Sequence, residues 1–169
     1  MRDFSKISPS VWRSQRFNEL PTDDARYLYL YLLTCEHQTY AGAYHLPHGY
    51  ACDDLRWEKS RLSQALEKLV ASGLVIHDAA TAEIAITRWF KHNAPMSESH
   101  LLGVERTIER IHSSVVADAV LIELHEAWEL FQAKKADAKS RKAAKQKTAS
   151  TLPGRLSNTV FLNGTGRAA

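Results

Sequence analysis

Apolar positions along residues 56–78, RWEKSRLSQALEKLVASGLVIHD, recur first at helical and then at strand spacing. Leu62, Leu66, Leu69 and Val70 fall at i, i+4, i+7 and i+8, the spacing of one buried helix face. Ser60, Arg61, Ser63, Gln64, Glu67 and Lys68 lie on the flanks and the opposite face. Gly73 follows where a helix C-cap wants positive φ, and Leu74, Val75 and Ile76 start a β-like run. The pattern predicts a helix from near Glu58, apolar behind and Ser/Arg/Gln/Lys in front, feeding a strand. Such a helix serves as a reading head or as an ordinary surface helix.

The same reading extends along the chain. ISPSVWRSQRFNEL predicts a short helix with Ser8 as N-cap and Pro9 at N1, docked by Trp12 and Phe17. LPTDDARYLYLYLLTCEH predicts the most buried helix, with Asp23 and Asp24 at the positive end of its dipole. Ala43–Leu46 predicts a short strand. HGYACDDLRW predicts a short helix ending near Leu55, then a tight turn over Arg56 and Trp57. LVIHD and EIAITRWF predict two strands joined by AATA. After the loop KHNAPMSESH, with Ser97 as a cap, two further helices are expected, split at Ser113–Ser114. Their stripes are Leu101, Val104, Ile108 and Ile111, then Val116, Val120, Leu124 and Phe131.

Two helices across a tight turn, followed by a two-stranded hairpin, is the order of a winged helix-turn-helix. The expected fold is α+β and mostly helical: a winged helix over 1–94, a helical C-terminal extension over 95–133 and a flexible basic tail over 134–169. The tail is Lys/Ala-rich and then Pro/Gly/Ser-rich, with no apolar stripe to offset ordering entropy. Fraying helix is expected no further than about Lys147.

Charge sharpens that division. Residues 1–133 carry 13 Lys and Arg against 18 Asp and Glu, whereas residues 134–169 carry nine against one. A basic tail on an acidic body points to a polyanionic partner, or to a tail that solubilises and neutralises the body. The tail cations Lys134, Lys135, Lys139, Arg141, Lys142, Lys145 and Lys147 are candidate electrostatic contacts. No run of about 18 apolar residues predicts a membrane span. MRDFSKISPS lacks the apolar region of a secretory signal. Two cysteines make no disulfide framework, which fits a reducing cytosol.

The run LPTDDARYLYLYLLT…AGAYHLPHGYACDDLRWEKSRLSQALEKLVASGLVIHDAATAEIAITRWFKHN resembles the winged-helix domain of phage and prophage replication proteins. These are described as replication initiators, replisome organisers or DnaD-like helix-turn-helix proteins. ARYLYLYLLT, GAYHLP, ALEKLVASGLV and WFKHN carry the resemblance, which covers about half the chain, Ile7 to Asn93. It implies a non-enzymatic binder of double-stranded DNA in a bacterial host's cytoplasm, associated with the nucleoid. Replication partners such as a helicase or its loader, and a homodimer, fit the same picture. In this chain Ser60, Arg61 and Gln64 become the candidates for base edges. Lys59, Lys68 and Arg56 become phosphate candidates. The wing tip DAATAE carries no Lys or Arg, and Glu58 and Glu67 would repel phosphate. A transcriptional regulator with the same head, or a winged helix serving protein contacts, are the alternatives.

Other chemistry is thin. Cys35, His37, His45, His48 and Cys52 are metal-compatible types, but their spacing matches no zinc-finger pattern, and buried free thiols are common. No metal or cofactor is expected. No G-x-S-x-G, phosphate loop or HExxH is present. The adjacent pairs Asp23–Asp24 and Asp53–Asp54 read as helix-terminus charges. Trp12, Trp89 and Trp128 sit within apolar patterns and are expected in the core. Trp57, in the turn, packs the two helices together or sits near a DNA backbone.

Overall fold

The computed structural model describes Ser5 and residues 7–150, with side chains through residue 142. The 134–169 segment expected as a tail is thus described in part. Residues 151–169, and the side chains of Lys145 and Lys147, lie outside the described residues.

The chain enters through two short pieces where a single helix was expected. A 3-10 turn, Pro9–Arg13, starts from Ser8, whose hydroxyl accepts from the Ser10 amide at 3.3 Å. Ser14 is extended (φ −70°, ψ 119°) and breaks the run before the one-turn helix α1, Gln15–Asn18. The break turns Phe17 into the core at 1% exposure. Trp12 stays 63% exposed, with only an edge contact to Phe17 at 5.6 Å, so it does not dock as expected. Helix α2, Asp23–Thr34, is capped by Thr22 and buries Ala25, Leu28, Tyr29 and Leu32.

Strand β1 (Ala43–His45), helix α3 (His48–Leu55), helix α4 (Lys59–Ala71) and strands β2 (Val75–Asp78) and β3 (Glu83–Ile86) follow. The sheet has three antiparallel strands in the order β1-β3-β2. Ala43 pairs with Ala85 on one side of β3, and Val75 pairs with Ile86 on the other. Every residue of the central strand β3 is buried. The β2–β3 turn is shaped by Asp78, whose Oδ1 accepts from the Ala80 amide at 2.9 Å, and by Ala82 in the left-handed region (φ 53°).

Helix α4 ends as its glycine predicts. Gly73 sits at φ 66°, its amide donates to the Val70 carbonyl, and the Leu74 amide donates to the Leu69 carbonyl. This is a Schellman closure. The buried stripe differs by one residue: Val70 is 42% exposed, and Ala65 joins Leu62, Leu66 and Leu69 in the core. At 100° per residue, positions 65 and 70 flank the 62–66–69 face on opposite sides, and packing buries the side that carries Ala65.

Beyond the hairpin come a one-turn helix α5 (Phe90–Asn93), helix α6 (Glu98–Ile108) and helix α7 (Ser114–Ser150). Val104, Ile108, Val116, Val120 and Leu124 are buried in the same core as the sheet and α2, and residues 95–132 fall in one compact unit with them. Two glutamates tie them in. Buried Glu83, on β3, accepts from the His112 amide at 2.9 Å and the Ser113 amide at 2.6 Å. Glu123, on α7, accepts from the Arg88 amide at 2.8 Å and the Phe90 amide at 2.9 Å. Residues 1–132 form one compact unit and residues 133–169 a second.

Residues 134–150, expected as a basic tail with fraying helix to about Lys147, are helical to the end of α7 at Ser150. Ala, Lys, Arg and Gln are among the strongest helix formers, so propensity alone favours helix where no stripe exists. Arg141 pairs with Asp137 one turn back at 3.1 Å. No helix among the described residues is long and apolar enough to cross a membrane.

Candidate nucleic-acid interface

The turn between α3 and α4 is tight because Arg56 adopts the left-handed conformation (φ 56°). Its amide donates to the Asp53 carbonyl at 3.3 Å, and the Trp57 amide donates to the Cys52 carbonyl at 3.0 Å. A left-handed non-glycine residue costs about 1 kcal/mol. Here the hydrogen bonds that close α3 offset it. The Arg56 side chain is fully at the surface and pairs loosely with Asp53 at 3.4 Å.

From that turn α4 projects Lys59, Ser60, Gln64 and Glu67 into solvent, with Ser63 and Lys68 half-buried. Arg61 is exposed at its end but held. Its Nε and Nη2 donate to Asp24 Oδ2 and Oδ1 at 2.8 and 2.6 Å, and its guanidinium lies 4.3 Å above the Trp57 ring. Trp57 in turn leans on Tyr27 at 5.9 Å. The Arg61 hydrogen bond, with Lys68 adding a weaker pull, holds the Asp24 carboxyl below its usual range. Asp24 therefore stays ionised and Arg61 stays paired across the neutral range.

The structure thus brings Arg61, Trp57, Asp24 and Tyr27 together, and sets Lys59, Ser60 and Gln64 beside them on one helix. Arg56 lies across the turn. Asp24 and Tyr27 were not among the sequence candidates. Asp24 reads as a dipole charge, and nothing local marks a partner on another helix. The hairpin turn, Ala79–Ala82, carries no cation.

The other aromatics separate. Trp89 is 6% exposed, with its indole Nε1 donating to the Tyr40 carbonyl at 2.9 Å. Trp128 is half-buried and stacked on Phe131 at 5.5 Å. Trp12 and Trp128 therefore do not sit in the core as their patterns suggested, whereas Trp89 does. Cys35 and Cys52 are free thiols, and burial pushes the Cys35 thiol up. His37 packs on Tyr50 and His48 on His77, whose imidazole is held down by burial and then by His48. Among the described residues no group of three or more His, Cys, Asp or Glu is arranged to hold a metal ion.

Comparison with protein-family models, curated proteins and solved structures finds no match to this chain.

Proposed function

We propose that the chain is a non-enzymatic, winged-helix binder of double-stranded DNA that reads sequence with the exposed face of α4. The observation carrying this reading is the helix pair itself: a closed α3–α4 turn delivers a helix whose first half presents Lys59, Ser60, Gln64 and Arg61 to solvent, beside an antiparallel hairpin. In this reading Ser60, Gln64 and Arg61 meet base edges, and Lys59, Lys68 and Arg56 meet phosphates. Asp24 takes the Nε–Nη2 edge of Arg61 and leaves Nη1 and one Nη2 hydrogen for a second, bidentate acceptor such as guanine O6 and N7. Asp24 and the Trp57 ring keep that edge oriented before binding.

The Lys-rich segment from Lys134 supplies the sequence-independent part of the affinity by counterion release. A phage-type role in replication initiation, with a helicase or loader as partner, is the first assignment, and an operator-binding regulator the second. Cytoplasmic, nucleoid-associated residence belongs to the same proposal.

The test is fluorescence anisotropy of random duplex DNA with the full chain and with residues 1–133, each at two salt concentrations. Salt-sensitive binding by both supports contacts on α4. Binding by the full chain alone assigns DNA to the tail. No binding by either overturns the reading. A protein-interaction module is then favoured by the exposed aromatic groove that Trp12 and Tyr27 line with Leu30 and Leu55.

A further inference from the structure

A cleft of about 610 Å³ lies between the N-terminal segment and the exit of β3, bounded by residues of the Ile7–Phe17 run and of Ile86–Asn93. Its floor is apolar, with Val11, Phe17, Leu74 and Ile86. Among the described residues four cations stand in its lining, Arg13, Arg16, Arg88 and Lys91, and no Asp or Glu lines it. Arg13, Arg88 and Lys91 are exposed and Arg16 is half-buried. Among the described residues none of the four forms an ion pair. Arg16 spends one Nη2 hydrogen on the Gly73 carbonyl, which fixes the guanidinium and leaves other donors free.

The placement of Arg88 is built, not incidental. It sits in the left-handed region at φ 58°, and Glu123 accepts its amide at 2.8 Å. Glu123 is the carboxylate near Arg88, but both its oxygens are engaged by the Arg88 and Phe90 amides. Glu123 offsets part of the Arg88 charge from outside the lining; the remaining excess of cations is repulsive, and an anion relieves that repulsion. Guanidinium groups match tetrahedral phosphate through paired donors, and ammonium adds a point charge. Four positive charges over an apolar floor ask for more than one negative charge attached to an apolar body. The volume lies within the roughly 300–1,000 Å³ of small-ligand pockets.

We propose that this cleft binds phosphate groups carried by a nucleotide, either free or within a single strand, at a site separate from the α4 face. The reading does not rest on the duplex-binding proposal, because it uses none of the α4 residues.

The experiment is calorimetric titration of the full chain at about 0.15 M salt with ATP, oligo(dT) and poly-glutamate. It is repeated on R13Q/K91Q, on the charge-retaining R13K and on K59Q/Q64A. Expected is binding of ATP or oligo(dT) that R13Q/K91Q weakens at least tenfold, that R13K keeps within about threefold and that K59Q/Q64A leaves unchanged. ATP binding as tight as oligo(dT) marks a free nucleotide as the ligand; oligo(dT) binding alone marks a strand. Circular dichroism confirms that R13Q/K91Q is folded, which its two exposed positions favour. Binding of neither probe overturns the proposal. So does equal binding of poly-glutamate, which makes the cleft a general acidic-peptide site. Undiminished binding by folded R13Q/K91Q also overturns it, because the basic C-terminal segment then accounts for the affinity.

Discussion

The α4 face and the cleft beside α1 each carry four cationic side chains, and they are opposite in electrostatic character. Around Arg56, Lys59, Arg61 and Lys68 stand Asp24, Asp53, Glu58 and Glu67, and both arginines are ion-paired. Around Arg13, Arg16, Arg88 and Lys91 no carboxylate among the described residues lines the cleft. Four charges balanced by four suit a surface that selects among polar edges at close range. Four charges with only Glu123 nearby, outside the lining, suit a surface that collects an anion. The number of basic residues in a segment therefore says little about where the protein is electropositive; the distance to the nearest carboxylate decides it.

The largest expected effect falls on the cleft through Trp89, which lines it. Gly42 holds φ 70°, and a Cβ there would lie 2.3 Å from Trp89 Cγ. G42A should lose about 3 kcal/mol in urea denaturation, combining left-handed strain with overpacking. Its folded fraction should lose nucleotide binding at the cleft before duplex binding at α4. Unchanged stability would mean that Trp89 moves freely and that this wall of the cleft is not rigid.

Next come the two glutamates, which oppose each other in pH. Burial would raise Glu83, but the His112 and Ser113 amides outweigh it and hold the carboxyl below its usual range. Its stabilising contribution is complete above the ordinary carboxylate value and is lost as pH falls through the lower, folded value. Burial raises Glu123 despite the Phe90 and Arg88 amides. Its contribution is complete below the ordinary value and is lost as pH rises through the higher, folded value. E83Q should cost about 2 kcal/mol at neutral pH and flatten the acid limb of the melting curve. E123Q should cost less and flatten the limb just above the usual carboxylate range. It should also loosen the Arg88 corner of the cleft while leaving α4 intact. Melting temperatures between pH 3 and 7 give both outcomes.

A smaller effect is expected on α4. R61A with Q64A should relax sequence preference by about 1.5 kcal/mol per lost base contact, measured by competition between specific and random duplexes. An unchanged preference would move the reading head elsewhere. Smallest is D24N. Exposed ion pairs contribute little, so releasing Arg61 should strengthen random-duplex binding by no more than about fivefold. Weaker specific binding instead would mean that the carboxylate orients Arg61 for its target.

Much of this fold is legible in the chain because the signals are local. The 3.6-residue period of Leu62, Leu66 and Leu69, the glycine after α4, Thr22 before α2 and Ser97 before α6 each act within a turn or two of backbone. They mark elements whatever the rest of the molecule does. Errors fall where packing arbitrates between equally apolar residues: Val70 against Ala65 on one helix, or Trp12 against Phe17 across an extended Ser14. Residues 134–150 show a different limit. Without a stripe they read as tail with helix only to about Lys147, whereas their alanine and lysine content favours helix regardless of burial, and α7 runs to Ser150.

The candidate site divides along the same line. The sequence by itself determined the helix pair, the hairpin and the list of polar side chains on α4's outer face, because periodicity assigns a face without reference to partners. Only the tertiary structure decided that Arg61 is clasped by Asp24 over Trp57, that Glu83 and Glu123 anchor the C-terminal helices, and that Arg13 and Arg16 share a cleft with Arg88 and Lys91. Those are meetings between residues distant in the chain. A Coulomb interaction depends on separation in space, and no local pattern of residues encodes that separation.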